Sequence, residues 1–186
     1  MKTNLMKSFA ELESVVLASK QLVVEISAAA ECCASCIVNG GTIFTCGNGG
    51  SAADAMHFAE ELSGRYKNTR RALSGLCLNA DPSAITCIAN DFGFESLFSR
   101  QLEAYGKAGD LLVLFSSSGN SINQINAIHK AKELGLGTLL LCGKDGGKCK
   151  GLADVEVIIP SQNGARVQEM HGFLLHAIIE EIEASI

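Results

Sequence analysis

The stretch Leu111-Leu112-Val113-Leu114-Phe115-Ser116-Ser117-Ser118-Gly119-Asn120-Ser121 runs five apolar residues straight into four hydroxyls and a glycine. Five apolar residues without polar alternation are too few for a buried helix and read as a strand covered on both faces, the habit of parallel sheets. A helical pattern from Ser121 to Leu134 follows the turn. A second unit of the same design lies upstream: Thr42-Ile43-Phe44-Thr45-Cys46 stops at Gly47-Asn48-Gly49-Gly50 and gives way to a helical pattern over Ser51 to Arg65.

Working outward, the alternation continues. Ala72 to Leu78, Thr138 to Cys142 and Val155 to Ile159 read as strands; Pro82 to Ala89, Phe94 to Tyr105 and Arg166 to Ile182 read as helices. From Leu5 to about Asn39, apolar residues recur every three or four positions without Pro or Gly, which predicts one or two amphipathic helices. The expected fold class is therefore α/β, a parallel sheet with helices on both faces and an N-terminal helical segment. Only Pro82 and Pro160 occur, and nothing marks a boundary, so residues 1–186 are expected to form a single domain, with 1–39 packed on the core or on another subunit. In such sheets ligands bind beyond the carboxyl ends of the strands, which directs attention to residues 46–51, 79–82, 116–121 and 143–147.

Bulk properties narrow the function. A net charge of -5 lacks the surplus of Lys and Arg that nucleic-acid binding needs, although Arg70-Arg71 form a local basic pair. No nucleic acid is expected as a partner. The start shows no signal-peptide pattern and no stretch is read as a membrane span, so no membrane association is expected either. Eight cysteines in a chain with this much core are expected to be thiols in a reducing cytoplasm. Cys32, Cys33 and Cys36 lie in an Ala-rich helical segment without a second pair at zinc-ribbon spacing, and are read as packing residues. Cys46, Cys77, Cys87, Cys142 and Cys149 are read likewise.

The loops carry the chemistry. A helix N-terminus offers unpaired N–H groups and partial positive charge, so Ser116, Ser117, Ser118 and Ser121 suit a phosphate, the alternative being a simple turn with Ser121 as N-cap. Gly47 to Ser51 lets a ligand approach backbone, but it has neither the Walker lysine nor Rossmann glycine spacing, which disfavours ATP and dinucleotides. His57 and Glu61 stand one turn apart on one helix face and suit a divalent ion, the alternative being a surface hydrogen bond. On the last helix Gln168 and His171 share a face, whereas Gln168 and His176 stand about 12 Å apart along the axis. For both to bind one ion they must lean together or come from different subunits. His129 reads as surface, and for His171 a core role and a supporting role at the site both stand open.

The blocks CGNGGSAADAMHFAEELSGRY, NDFGFESLFSR, SSSGNS, GKDGGK and RVQEMHGFLLH, in this order from about Phe44 to the C-terminus, resemble the phosphoheptose isomerases of the sugar isomerase (SIS) domain class. The resemblance implies a flavodoxin-like three-layer αβα sandwich, a homotetramer with active sites between subunits, and conversion of sedoheptulose 7-phosphate, a phosphorylated seven-carbon sugar, to glycero-manno-heptose 7-phosphate for lipopolysaccharide core or related glycans. It places one zinc ion per subunit on His57, Glu61, Gln168 and His176, with Glu61 as base and His176 as acid partner. It places substrate contacts on Asn48, Gly49, Gly50, Asn90, Asp91, Ser116, Ser117, Ser118, Ser121 and Gln168; Ser51 and Arg65 join them from their positions beside these groups, Arg65 equally as a partner for a carboxylate at a subunit contact. A position that is acidic in some members is Ala165 here. Two other readings are a non-catalytic SIS protein that binds a replication initiator or another protein, disfavoured by the joint presence of His57, Glu61 and His176, and a sugar-phosphate sensor, which would need room for a DNA-binding domain.

Overall fold

A computed structural model describes residues 2–186. Five parallel strands, β1 (Ile43–Gly47), β2 (Gly75–Cys77), β3 (Leu111–Ser116), β4 (Gly137–Gly143) and β5 (Val155–Ile159), lie in the order β2-β1-β3-β4-β5. The chain direction across the sheet reverses between β1 and β3, so the crevice where ligands enter such sheets opens beyond Gly47 and Ser116. The pairing there is continuous, from Ile43 with Leu111 to Gly47 with Phe115.

Side chains alternate across the pleat and build two cores. Ile43, Val113, Phe115, Leu139, Leu141, Val157 and Ile159 face α2 (Val23–Val38), α3 (Gly50–Ser63) and α7 (Gly164–Ala184). Phe44, Cys46, Leu112, Leu114, Leu140 and Cys142 face α5 (Leu97–Tyr105) and α6 (Ile122–Leu134). Burial on both faces explains why β3 and β4 are apolar almost throughout. β2 at the sheet edge is shorter than the predicted 72–78, because residues ahead of Gly75 turn to meet α3: Leu73 N–H donates to the carbonyl of Leu62 at 3.0 Å.

The N-terminal segment forms two helices, α1 (Lys2–Ser19) and α2, joined by a 3-10 turn at Lys20–Leu22. α2 buries Ala29, Ala30, Cys33, Ala34, Cys36 and Ile37. Thr3–Val38 contains an 18-residue window long and apolar enough, by length and composition, to cross a membrane, with mean hydropathy 1.6, although polar residues such as Glu25 and Glu31 interrupt it. Only 28% of that window is buried, and Leu5, Met6, Phe9, Val16, Leu17, Val23, Val24 and Val38 are all exposed. Among the described residues all eight cysteines are free thiols. Cys87 departs from its expected apolar setting: it lies exposed on α4 (Pro82–Phe92), a helix with no fully buried residue, and Cys32 is only half-buried.

Candidate active site

Two loops meet at the reversal point. After β1 the backbone turns at Gly49, whose φ of +58° is left-handed territory natural to glycine, and α3 begins at Gly50. After β3 the serine turn makes a second left-handed step at Gly119, φ +63°, before Ser121 starts α6. Asn48 and Asn123 tie the loops together through paired amide bonds of 2.9 Å in each direction. Asn79 braces the end of β1, accepting from Gly47 N–H and donating to Gly47 carbonyl, both at 3.0 Å.

Asn48, Ser51, Ser116, Ser117, Ser118, Ser121 and Gln124 line a cavity of about 40 Å³. Ser121 makes no side-chain cap bond to its own helix, so its hydroxyl is available to the cavity. Ser116 is committed locally, its Oγ accepting from Gly119 N–H at 3.1 Å. Gln124 lines the floor: its Nε2 donates to Phe115 carbonyl at 2.7 Å, while its buried Oε1 has no partner. Asn79 lies in the strand-end stretch 79–82 that the sequence singled out, whereas Asn123 and Gln124 fall in no motif and were not read from it.

The second cluster lies between α3 and α7. His57 Nε2 sits 3.3 Å and His176 Nε2 3.8 Å from Glu61 Oε1. The two imidazoles meet edge to face at 5.0 Å. One ligand atom from each of the three residues falls within 4.8 Å of the others, an N, O, N donor set that can hold a divalent metal ion. His176 on a distant helix thus joins the hydrogen-bonded pair His57–Glu61 as a third donor. Tyr66, unremarked in the sequence, stacks on His176 at 5.2 Å and donates to Glu180 Oε1 at 3.1 Å. Burial, then the bond to Glu180, pushes the Tyr66 phenol up, while Lys67 first and Tyr66 second hold the Glu180 carboxyl down.

Gln168 does not join that trio by its placement in the chain. Its amide lies against the loop instead: a Cβ on Gly50 would come within 2.6 Å of Gln168 Oε1, so the glycine leaves room for that amide. Asn90 and Asp91 lie exposed at the end of α4, bonded to one another at 2.6 Å. Arg65 is exposed and makes no ion pair among the described residues, His129 is exposed, and Ala165 is an exposed residue at the start of α7. Arg70 overturns the basic patch. It turns inward, with its side chain only 8% exposed, onto Glu183. Its guanidinium also donates to the carbonyls of Glu61 at 2.7 Å and Leu62 at 3.0 Å, closing the C-terminal end of α3.

The sheet order, the serine turn at its reversal point and the helix-borne donor cluster define a sugar isomerase type of α/β domain. The SIS domain family matches residues 8–143, and the chain belongs to it. Within it the chain is similar to phosphoheptose isomerases: phosphoheptose isomerase 1 of Campylobacter jejuni is 48% identical over 179 residues, covering 96% of either chain. That of Helicobacter pylori strain P12 is 47% identical over 182 residues, covering 98% of this chain and 90% of that one. The structure of a phosphoheptose isomerase from Neisseria gonorrhoeae superposes with a TM-score of 0.92 at 40% identity, covering 98% of each chain.

Proposed function

We propose that this protein is an aldose–ketose isomerase that converts sedoheptulose 7-phosphate to D-glycero-D-manno-heptose 7-phosphate. The convergence of His57, Glu61 and His176 carries the reading, in a chain whose near relatives are named phosphoheptose isomerases. A protein kept only for binding a partner has no need to bring two imidazoles and a carboxylate from different helices to one point, so the non-catalytic alternative is not favoured.

Moving the carbonyl from C2 to C1 removes a proton from C1, passes through an enediol and returns a proton to C2, while a hydroxyl proton crosses from O1 to O2. No oxidant or second substrate is consumed. Ser117, Ser118 and Ser121, supported by Ser116, Ser51 and the backbone of Asn48, Gly49 and Gly50, hold the phosphate at the start of α3 and α6. Glu61 takes the C1 proton and delivers it to C2; His176, oriented by the Tyr66 ring, moves the proton between the oxygens. His57, Glu61 and His176 would hold Zn²⁺, which supplies Lewis-acid polarisation of the carbonyl when bound. Gln168 lies about 12 Å along α7 from His176 and contacts sugar in its own chain; as a metal ligand it belongs to the ion of a neighbouring subunit.

The working form on this reading is a homotetramer with sites shared between subunits. The exposed apolar residues of α1 and α2 support it, as does the exposure of Asn90, Asp91 and Arg65, which among the described residues bond neither to the serine turn nor to the donor cluster. The apolar surface of the helical segment Thr3–Val38 then serves subunit contacts, the segment carrying Lys20, Glu25 and Glu31 among its apolar residues. A cytoplasmic enzyme acting as one SIS domain and feeding heptose to lipopolysaccharide core follows. The test is incubation of purified protein with sedoheptulose 7-phosphate, with and without chelator, following aldose formation. Chelator-sensitive activity restored by Zn²⁺ is expected; no turnover by the zinc-loaded protein would refute the reading.

A further inference from the structure

Midway along the α3–α7 seam stands a second polar pair. His171 is completely buried, its ring edge-on to Phe115 at 5.7 Å, and neither ring nitrogen has a hydrogen-bond partner. Nδ1 lies 3.8 Å from Asp54 Oδ2, which is itself buried and unpartnered. Its neighbours on α7, Met170, Leu174, Leu175 and Ile178, are apolar and buried, so packing alone calls for another such residue here. Orphaned polar atoms are expensive to bury. A fold that carries three of them at one contact therefore gains something other than stability from it.

Their place in the seam says what. α3 and α7 run side by side in the same direction, with Gly50 against Gln168 at one end, Glu61 beside His176 at the other, and Asp54 facing His171 between them. A rotation of α7 by one side chain would carry both ends out of register. We propose that Asp54 and His171 are a positioning pair for the isomerase site: the Asp54 carboxylate faces Nδ1 across 3.8 Å, a polar contact longer than a hydrogen bond, and the ring, wedged on Phe115, sets the rotation of α7 that presents Gln168 to the loop and His176 to Glu61. The inference rests on the function proposed above. Neither residue touches the reacting atoms. The pair differs from an apolar plug because its polar contact weakens as α7 turns and the two groups move apart.

The experiment compares His171→Phe, His171→Asn and Asp54→Asn with the natural protein in three readouts. These are the thermal midpoint, Zn²⁺ affinity by competition with a chromogenic chelator, and kcat and KM for sedoheptulose 7-phosphate. Phe fills the site and removes two of the three orphans, leaving Asp54 Oδ2, so the midpoint is expected to hold. Zn²⁺ affinity and kcat are expected to fall about 10- to 100-fold, the range found when groups supporting a metal site are removed, with KM little changed. His171→Asn, which keeps a donor toward Asp54, is expected to recover part of both losses, and Asp54→Asn to repeat the loss without any change in side-chain size. Wild-type Zn²⁺ affinity in both His171→Phe and Asp54→Asn overturns the proposal, as does a failure of Asn to improve on Phe. Should His171→Phe not fold, the isosteric Asp54→Asn decides alone. Zn²⁺ affinity is read without substrate, so the pair is tested even if the sugar assay fails and the proposed reaction falls.

Discussion

Replacing Arg70 by Ala tests whether a side chain remote from the chemistry holds the donor cluster together. Arg70 Nε donates to Glu183 Oε1 at 3.0 Å, Nη2 to the carbonyl of Glu61 at 2.7 Å, and Nη1 to that of Leu62 at 3.0 Å. Glu183, only 3% exposed, also accepts from the backbone and side-chain nitrogens of Asn68 at 3.1 Å each. Removing one partner of a buried ion pair costs about 3–5 kcal/mol, because the other charge is left uncompensated. The two Asn68 bonds survive, which places the loss near the lower end, at about 3 kcal/mol. For a chain of this length that is a fall of about 6–12 °C in the thermal midpoint, measured by circular dichroism at fixed protein concentration. The double variant Arg70→Met/Glu183→Leu leaves no orphaned charge and is expected to regain most of the loss. The pH dependence is fixed by the same contact. Burial pushes the Glu183 carboxyl up, but the Asn68 N–H and Arg70 outweigh it and hold it below its ordinary value of 4.5. A depressed folded value means the contribution is present above about pH 4.5 and is lost as pH falls through the folded value. The stability gap between the natural protein and Glu183→Gln should accordingly shrink on acidification. A midpoint lowered by less than about 2 °C in Arg70→Ala, or a double variant no better than the single one, would refute the reasoning.

Glu61→Gln keeps size and loses the base, so kcat should drop by about 10²- to 10⁴-fold while the circular dichroism spectrum is unchanged; turnover within a few-fold of normal would remove Glu61 from the proton transfer. Ser121→Ala should raise KM for the sugar phosphate by about tenfold, the value of one hydrogen bond to a charged group, with a smaller effect on kcat; steady-state kinetics distinguish the two. Gly119→Ala forces a side chain into a left-handed conformation, costing about 1–2 kcal/mol, and drives its Cβ into the carbonyl of Gly146. Its midpoint should fall by at least about 2–8 °C and its sugar-phosphate affinity should weaken, both readable by thermal shift with and without substrate.

The parts of this molecule that were legible in the sequence are those where one local rule decides. Leu111 to Phe115 is apolar throughout because both faces of β3 are covered, and the turns at Gly49 and Gly119 use glycine because their φ values favour it. His57 and Glu61 announce themselves by helical spacing. The rest depends on contacts between distant segments. Arg70 next to Arg71 looks like a surface charge, and only the path of residues 64–74 under the end of α7 shows that it faces Glu183, 113 positions away. Tyr66 acquires meaning from His176, which no spacing rule connects to it. Gln168 and His176 posed the instructive case: they stand about 12 Å apart along one helix, and the parallel run of α3 and α7 brings each to a different end of α3. Two helices in parallel register present matched pairs at successive heights, a loop contact at Gly50 and a donor cluster at Glu61. The axial rise of 1.5 Å per residue separates those two heights by about 16 Å along α3. A single chain therefore places two clusters of polar side chains at opposite ends of one seam, and on the positioning role proposed for Asp54 and His171 the register of that seam would govern both.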